Sequence, residues 1–183
     1  MSETGGCEML KMKLKKQAGF TLIEMLIVVL LLGILAMLII PQISVSTDDA
    51  MLNTLQSNLG SMRNAVELYY HQHAGIYPGA NDNTGAATAV PATAATAFVE
   101  QLTQYTDING DVAAIKDATH IYGPYMKSLT LPTNPYNNNS GILCDATEDD
   151  ITVRASGASV VEGWKFYTQT GALLANDGAH DTL

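Results

Sequence analysis

A single carboxylate just inside a long apolar run offers the most pointed chemistry in this chain. Lys15-Lys16-Gln17-Ala18 leads into Gly19-Phe20-Thr21-Leu22-Ile23-Glu24, and from Met25 to Ile40 no residue carries a charge. An acid at the centre of a lipid-spanning helix costs roughly 2.5–3.5 kcal/mol on insertion scales, and less near the interface. Glu24 therefore calls for a partner, unless it simply snorkels toward water. Gly19, at the junction itself, leaves the backbone open to close approach where a side chain would crowd it.

Other chemistry-bearing residues are sparse. Asp107-Ile108-Asn109-Gly110-Asp111 spaces its oxygen ligands as a calcium loop begins, but such a loop needs Gly at its sixth position and a carboxylate at its twelfth. Those positions hold Val112 and Ala118, which favours a solvated turn. His71 and His73 lie two apart on a helix and point to different faces, while His120 and His180 are isolated. No Gly-rich phosphate loop, no G-x-S-x-G and no Cys/His cluster is present, which argues against an enzyme. Asn138-Asn139-Ser140 fits a glycosylation sequon and carries little weight. Cys7 and Cys144 are the only cysteines, so a disulfide scaffold is excluded. If the apolar run crosses a membrane they lie on opposite sides, and Cys144 reads as a small buried hydrophobe.

Charge divides the chain as sharply as hydropathy does. The overall charge is −9, yet four lysines stand against Glu3 and Glu8 before residue 20. The remainder carries five Lys or Arg against sixteen Asp or Glu. An acidic body with no basic patch disfavours nucleic acid and anionic lipid surfaces as partners.

These side chains need elements to hold them. The run from Phe20 to Ile40 is longer than the apolar core of a secretory signal, and Ile39-Ile40-Pro41-Gln42 offers no small-residue cleavage site. It is long enough to span a bilayer, with the lysines placing the N-terminus in the cytoplasm. Gly33 and Pro41 are weak points in that helix, Pro41 implying a bend or local melting rather than a stop. Met51, Leu52, Leu55, Leu59, Met62, Val66, Tyr69 and Tyr70 then recur at three- and four-residue steps, an amphipathic helix to about His73 that Gly75 caps. A helix continuous from Phe20 to Ala74 would measure about 80 Å. Its outer half would pack on its own domain, and its inner half would need lipid or other chains.

Downstream, Gly79–Thr96 reads as a low-complexity loop and Ala97–Tyr105 as a short helix. Ile121–Tyr125 and Leu129–Tyr136 read as extended connections. Strands are expected at Ile151–Ala155, Ser159–Val161, Trp164–Thr168 and Ala172–Ala175, with Gln169-Thr170-Gly171 as a hairpin loop. The fold class is α+β: a long helix packed on a small antiparallel sheet.

The junction from Lys15 to Gln42 resembles the processing site of type IV prepilins and of the pseudopilins of type II secretion. Gly19, Phe20, Glu24, Gly33 and Pro41 all carry the likeness. It implies cleavage after Gly19 by a prepilin peptidase on the cytoplasmic side, methylation of the new Phe20 amine, and retention of the apolar helix. The Phe20 amine of one subunit could then meet Glu24 of its neighbour, each group answering the other's need for a partner. Gly33 and Pro41 would soften the helix for repacking. Ala65–Tyr70, Gly75-Ile76-Tyr77-Pro78, Gly123-Pro124-Tyr125, Asn134-Pro135 and Gly163–Tyr167 resemble the major pseudopilin branch. Many type IV pilins close their C-terminal region with a disulfide, which a single cysteine beyond the apolar run cannot form.

The resemblance implies four parts: a cleaved leader over 1–19, a membrane and assembly segment over 20–41, an amphipathic helix over 42–74, and a periplasmic α+β head over 75–183. It implies a structural filament subunit that is no enzyme and needs no cofactor. Its partners would be further copies of itself in a helical homopolymer, the prepilin peptidase, an inner-membrane assembly platform with a cytoplasmic ATPase, and minor pilins or pseudopilins. Calcium in a C-terminal loop is left unassigned, with Glu148-Asp149-Asp150, Asp177 and Asp181 as acidic residues nearby. The alternatives are the major subunit of a surface type IV pilus, for adhesion, motility or DNA uptake, and a membrane-anchored periplasmic binding domain.

Overall fold

The computed structural model describes residues 19–149, 161–180 and 182–183, with only the backbone described over residues 38–46. The first helix, α1, covers Leu22–Gln72, and its helical assignment runs through both Gly33 and Pro41. The chain divides into two compact units, Met1–Val45 and Ser46–Leu183. In the first, the side chains from Leu22 to Met37 are exposed.

In the second unit, the expected stripe of α1 forms one wall of the core. Leu55, Leu59, Met62, Ala65, Val66 and Tyr69 are buried at helical spacing, while Met51, Leu52 and Tyr70 are only partly covered. The helix ends with Ala74 (φ 54°) in the left-handed region, followed by Gly75 (φ 80°), whose N–H donates to the Tyr70 carbonyl at 3.0 Å. That six-to-one bond is the Schellman closure. The left-handed position expected for Gly75 thus begins one residue earlier, at an alanine.

The second helix corrects the sequence reading. α2 covers Pro91–Thr103, so the loop that begins at Gly79 ends at Val90 rather than Thr96. Pro91 supplies a preset φ at the first helical position, and the alanines that follow are the strongest helix formers. Ala94, Ala97, Phe98 and Leu102 face the core, with the Phe98 ring 4.6 Å from that of Phe166.

Two small sheets complete the fold. β1 (Tyr105–Thr106) and β2 (Val112–Ala113) pair antiparallel around the Asp107–Asp111 turn. β3 (Ile142–Asp145), β4 (Trp164–Tyr167) and β5 (Leu173–Ala175) form the other, in that spatial order. The terminal hairpin β4–β5 is antiparallel as expected, whereas β3 joins β4 in parallel, so the sheet is not purely antiparallel. β3 lies in a stretch with no sequence assignment. Its alternation, with Ile142 and Cys144 buried between half-exposed neighbours, is too short to stand out among turn residues. Of the expected strands, Ile151–Ala155 and the first two residues of Ser159–Val161 lie outside the described residues, and Val161 is in a turn.

The hairpin depends on Gly171. Its φ is 71°, and a Cβ there would fall 2.3 Å from the Tyr77 ring, so both backbone and packing exclude a side chain. Arg63 ties α1 to this hairpin by donating from Nε and a terminal nitrogen to the Leu173 carbonyl, at 3.2 and 2.7 Å.

Candidate processing and assembly site

At the start of α1, the local sequence builds its own cap. The Thr21 carbonyl accepts the first helical bond, from Met25 N–H at 3.3 Å, which makes Thr21 the N-cap residue. Its hydroxyl accepts from Glu24 N–H at 3.3 Å, while Glu24 Oε2 accepts from both Thr21 N–H and Thr21 Oγ1 at 2.9 Å. This is a reciprocal capping box. Glu24 Oε1 makes no hydrogen bond among the described residues, so the carboxylate keeps an open acceptor. The sequence reading missed Thr21, although Thr-x-x-Glu ahead of an apolar run is the signal for this motif. Thr21→Val should cost about 1 kcal/mol of helix-end stability. Faster amide exchange at Ile23 and Glu24 would register it, with the rest of α1 unchanged.

Gly19 and Phe20 precede the helix and are exposed, Phe20 at 83%. A Cβ at Gly19 would meet nothing within 4 Å, and its φ lies outside the left-handed region. Nothing among the described residues therefore demands glycine there. Gly33 is equally open, although glycine costs a helix interior about 1 kcal/mol relative to alanine. Pro41 falls where only the backbone is described. Beyond Glu24, apolar side chains are exposed all round the helix, from 48% at Val28 to 82% at Met37. A helix apolar on every side needs lipid or other helices around it. Among the described residues no helix is long and apolar enough to cross a membrane, and the described side chains of this run end at Met37.

The other sequence candidates serve the fold. Asp107 Oδ1 accepts from the backbone N–H groups of Asn109 and Asp111 at 2.8 and 2.9 Å, which closes the turn as a local cap. Asp177 accepts from the N–H groups of Ala179 and His180 and from the Asn134 amide. Asp150 and Asp181 lie outside the described residues. No group of three or more His, Cys, Asp or Glu able to hold a metal occurs among the described residues. Cys144 is buried, and burial pushes its thiol up to about 12, so it is chemically quiet.

His73 is fully buried, stacked 3.6 Å from the Tyr69 ring. Nδ1 lies 2.9 Å from the Tyr69 carbonyl and Nε2 2.9 Å from Thr106 Oγ1, a pairing that suits a neutral ring donating from Nδ1. Burial holds its pKa below the ordinary value, against the opposing pull of the Tyr69 carbonyl and of Asp107. As pH falls through about 6.5, the unfolded chain takes up a proton that folded His73 resists. Its contribution is complete above that pH and is lost toward the folded-state value. His120, raised chiefly by its hydrogen bond to Asp117, works in the opposite sense from the surface. The Tm of the detergent-solubilised chain should therefore fall between about pH 7.5 and about pH 5.5, and His73→Gln should flatten that slope.

Residues 14–40 match the family model of the prokaryotic N-terminal methylation motif. Type II secretion system core protein G of Vibrio cholerae is 26% identical over 169 residues, covering 92% of this chain and 97% of that protein. The chain is thus similar to a pseudopilin over nearly its whole length. Core protein G of Pseudomonas aeruginosa is 38% identical over 58 residues, 32% of this chain and 41% of that protein. The type IV major pilin protein PilE of Neisseria gonorrhoeae is 29% identical over 148 residues, 77% of this chain and 85% of that protein. No solved structure matches. The methylation motif spans the exposed Gly19-Phe20 junction and the capped Glu24, and the similarity to the Vibrio protein extends well beyond it.

Proposed function

We propose that this chain is the major pseudopilin of a type II protein secretion system, a structural subunit of a helical filament with no catalytic role. The observation that carries the reading is the alignment with Vibrio core protein G over 97% of that protein, because it extends far beyond the shared N-terminal motif. A prepilin peptidase would cut after Gly19 and methylate Phe20. The subunit would wait in the inner membrane with its N-terminus in the cytoplasm and its head in the periplasm. The apolar sleeve from Leu22 onward would leave lipid for neighbouring helices during assembly. Glu24 would keep its Thr21 cap and offer its open oxygen to a neighbour's Phe20 amine. The chain has no nucleotide loop, so a separate cytoplasmic ATPase and a membrane platform would drive growth, with minor pseudopilins as further partners.

The PilE match favours a second reading, the major subunit of a surface type IV pilus. Cys144 as the single cysteine beyond the apolar run weighs against the disulfide-closed form of such pilins. Deleting the gene in its own host separates the two. Loss of extracellular enzymes with surface pili intact supports the pseudopilin, and the reverse pattern supports the pilin. Mass spectrometry of the extracted chain is expected to show methylated Phe20 as its first residue, and any other N-terminus overturns both readings.

A further inference from the structure

We propose that a groove in the head, lined by Thr103, Tyr105, Pro124, Met126, Lys127 and Leu129, receives the Asp48–Asp49 stretch of α1 from a second copy of this chain. The inference rests on the filament reading and specifies one contact within it. The groove encloses about 530 Å³ and opens at the surface. Its lining residue Leu129 is 73% exposed, and Ile115, next in sequence to the lining residue Ala114, is 80% exposed, both large apolar side chains with little cover of their own.

A charge census selects the occupant. Among the described cations of the second unit, Arg63 is committed to the Leu173 carbonyl. Lys165 is buried, with Nζ 4.7 Å above the Tyr167 ring. Lys116 and Lys127 make no ion pair or hydrogen bond among the described residues. Lys127 lines the groove, and Lys116 follows its lining residue Ala114 by two positions. In a strongly acidic body, one of the two cations without internal partners thus lines the groove, and the other stands two residues along the chain from its lining.

Their complement lies elsewhere on the same chain. Asp48 and Asp49 are the only charged residues of α1 between Glu24 and Arg63. Both are exposed, ahead of the point where Leu55 enters the core, and neither has an ion-pair partner among the described residues. Met51 and Leu52 follow them, half-covered, as apolar neighbours suited to Leu129 and Ile115. A groove and its complement at different places on one chain make a heterologous contact, which repeats into an open helical array when the rotation does not close. Copies held side by side in a filament meet at high effective concentration, so a weak charge-matched contact suffices to set register.

The test uses the full-length chain in its own host. Asp48→Cys with Lys127→Cys should give a ladder of disulfide-linked multimers on oxidation, and neither single variant should. Lys116→Glu with Lys127→Glu should cut filament yield at least about tenfold, and adding Asp48→Lys with Asp49→Lys should restore it. Wild-type filaments bearing methylated Phe20, together with no ladder and full assembly of the Lys→Glu variant, overturn this contact and leave the filament reading intact. Absence of wild-type filaments overturns both. Crosslinking to a different protein instead of a ladder also overturns it, since the occupant would not be a copy. If the Lys→Glu variant fails to fold by circular dichroism, the cysteine pair decides alone.

Discussion

Gly19→Leu should leave the chain in the membrane at its full precursor mass, with no filaments, whereas Glu24→Leu should be processed and still fail to assemble. The two failures have different physical origins. At Gly19 a side chain would meet nothing among the described residues, so the loss is expected to come from crowding an external enzyme. At Glu24 two roles coincide: the carboxylate caps the helix through Thr21 and keeps one oxygen open. Glu24→Gln separates them. Its amide oxygen can still accept from Thr21, so the cap, worth about 1 kcal/mol, largely survives while the charge is lost. Failure of Glu24→Gln to assemble, read as sheared filaments by electron microscopy, assigns the requirement to the charge that a neighbouring Phe20 amine would meet. Wild-type filament yield from Glu24→Gln would sink the proposed pairing and reduce Glu24 to a cap.

Trp164→Ala should be the most damaging single change in the head. Trp164 is fully buried on the central strand of the three-stranded sheet, and its indole N–H donates to the Pro132 carbonyl at 2.8 Å. Truncating a buried tryptophan costs about 3–5 kcal/mol, and a carbonyl left without its donor adds about 1–3 kcal/mol if it stays dry. Domains of this size have about 5–15 kcal/mol in total, so the variant should be largely unfolded or degraded at growth temperature. Trp164→Phe keeps most of the volume and loses the hydrogen bond, and should fall between the two. Urea denaturation followed by circular dichroism measures both, because the only tryptophan is the residue removed. A midpoint for Trp164→Ala close to wild type would contradict the assigned role of this side chain.

How far the residues could be read in advance depended on the range of the interactions involved. The core stripe of α1 was legible from Leu55 to Tyr69 because helical periodicity is a local signal repeated over several turns. The terminal hairpin was legible because Gly171 marks its turn beside a run of β-formers. β3 was not, since a four-residue strand is stabilised by parallel pairing with β4 some twenty residues away, and nothing local announces that partner. α2 began earlier than expected because an alanine- and threonine-rich stretch reads as loop by composition, while burial of Ala94 and Ala97 against the sheet makes it helix. Thr21 differs from these. Its signal, Thr-x-x-Glu ahead of an apolar run, is wholly local, and the same Glu24 carries both the cap and the charge at the edge of that run.

Residue order alone was enough for the junction. A basic leader, a glycine, one acid and an uninterrupted apolar run mark the segment that matches the N-terminal methylation motif, and that pattern needs no distant contacts. The folded arrangement was required for the rest. It put the Thr21–Glu24 bonds in place while leaving one carboxylate oxygen open, used Asp107 and Asp177 as turn acceptors, and set Lys127 among the apolar residues of a groove. Charges far apart along the chain become a surface only when loops and strands bring them to one side, and no local pattern encodes that convergence.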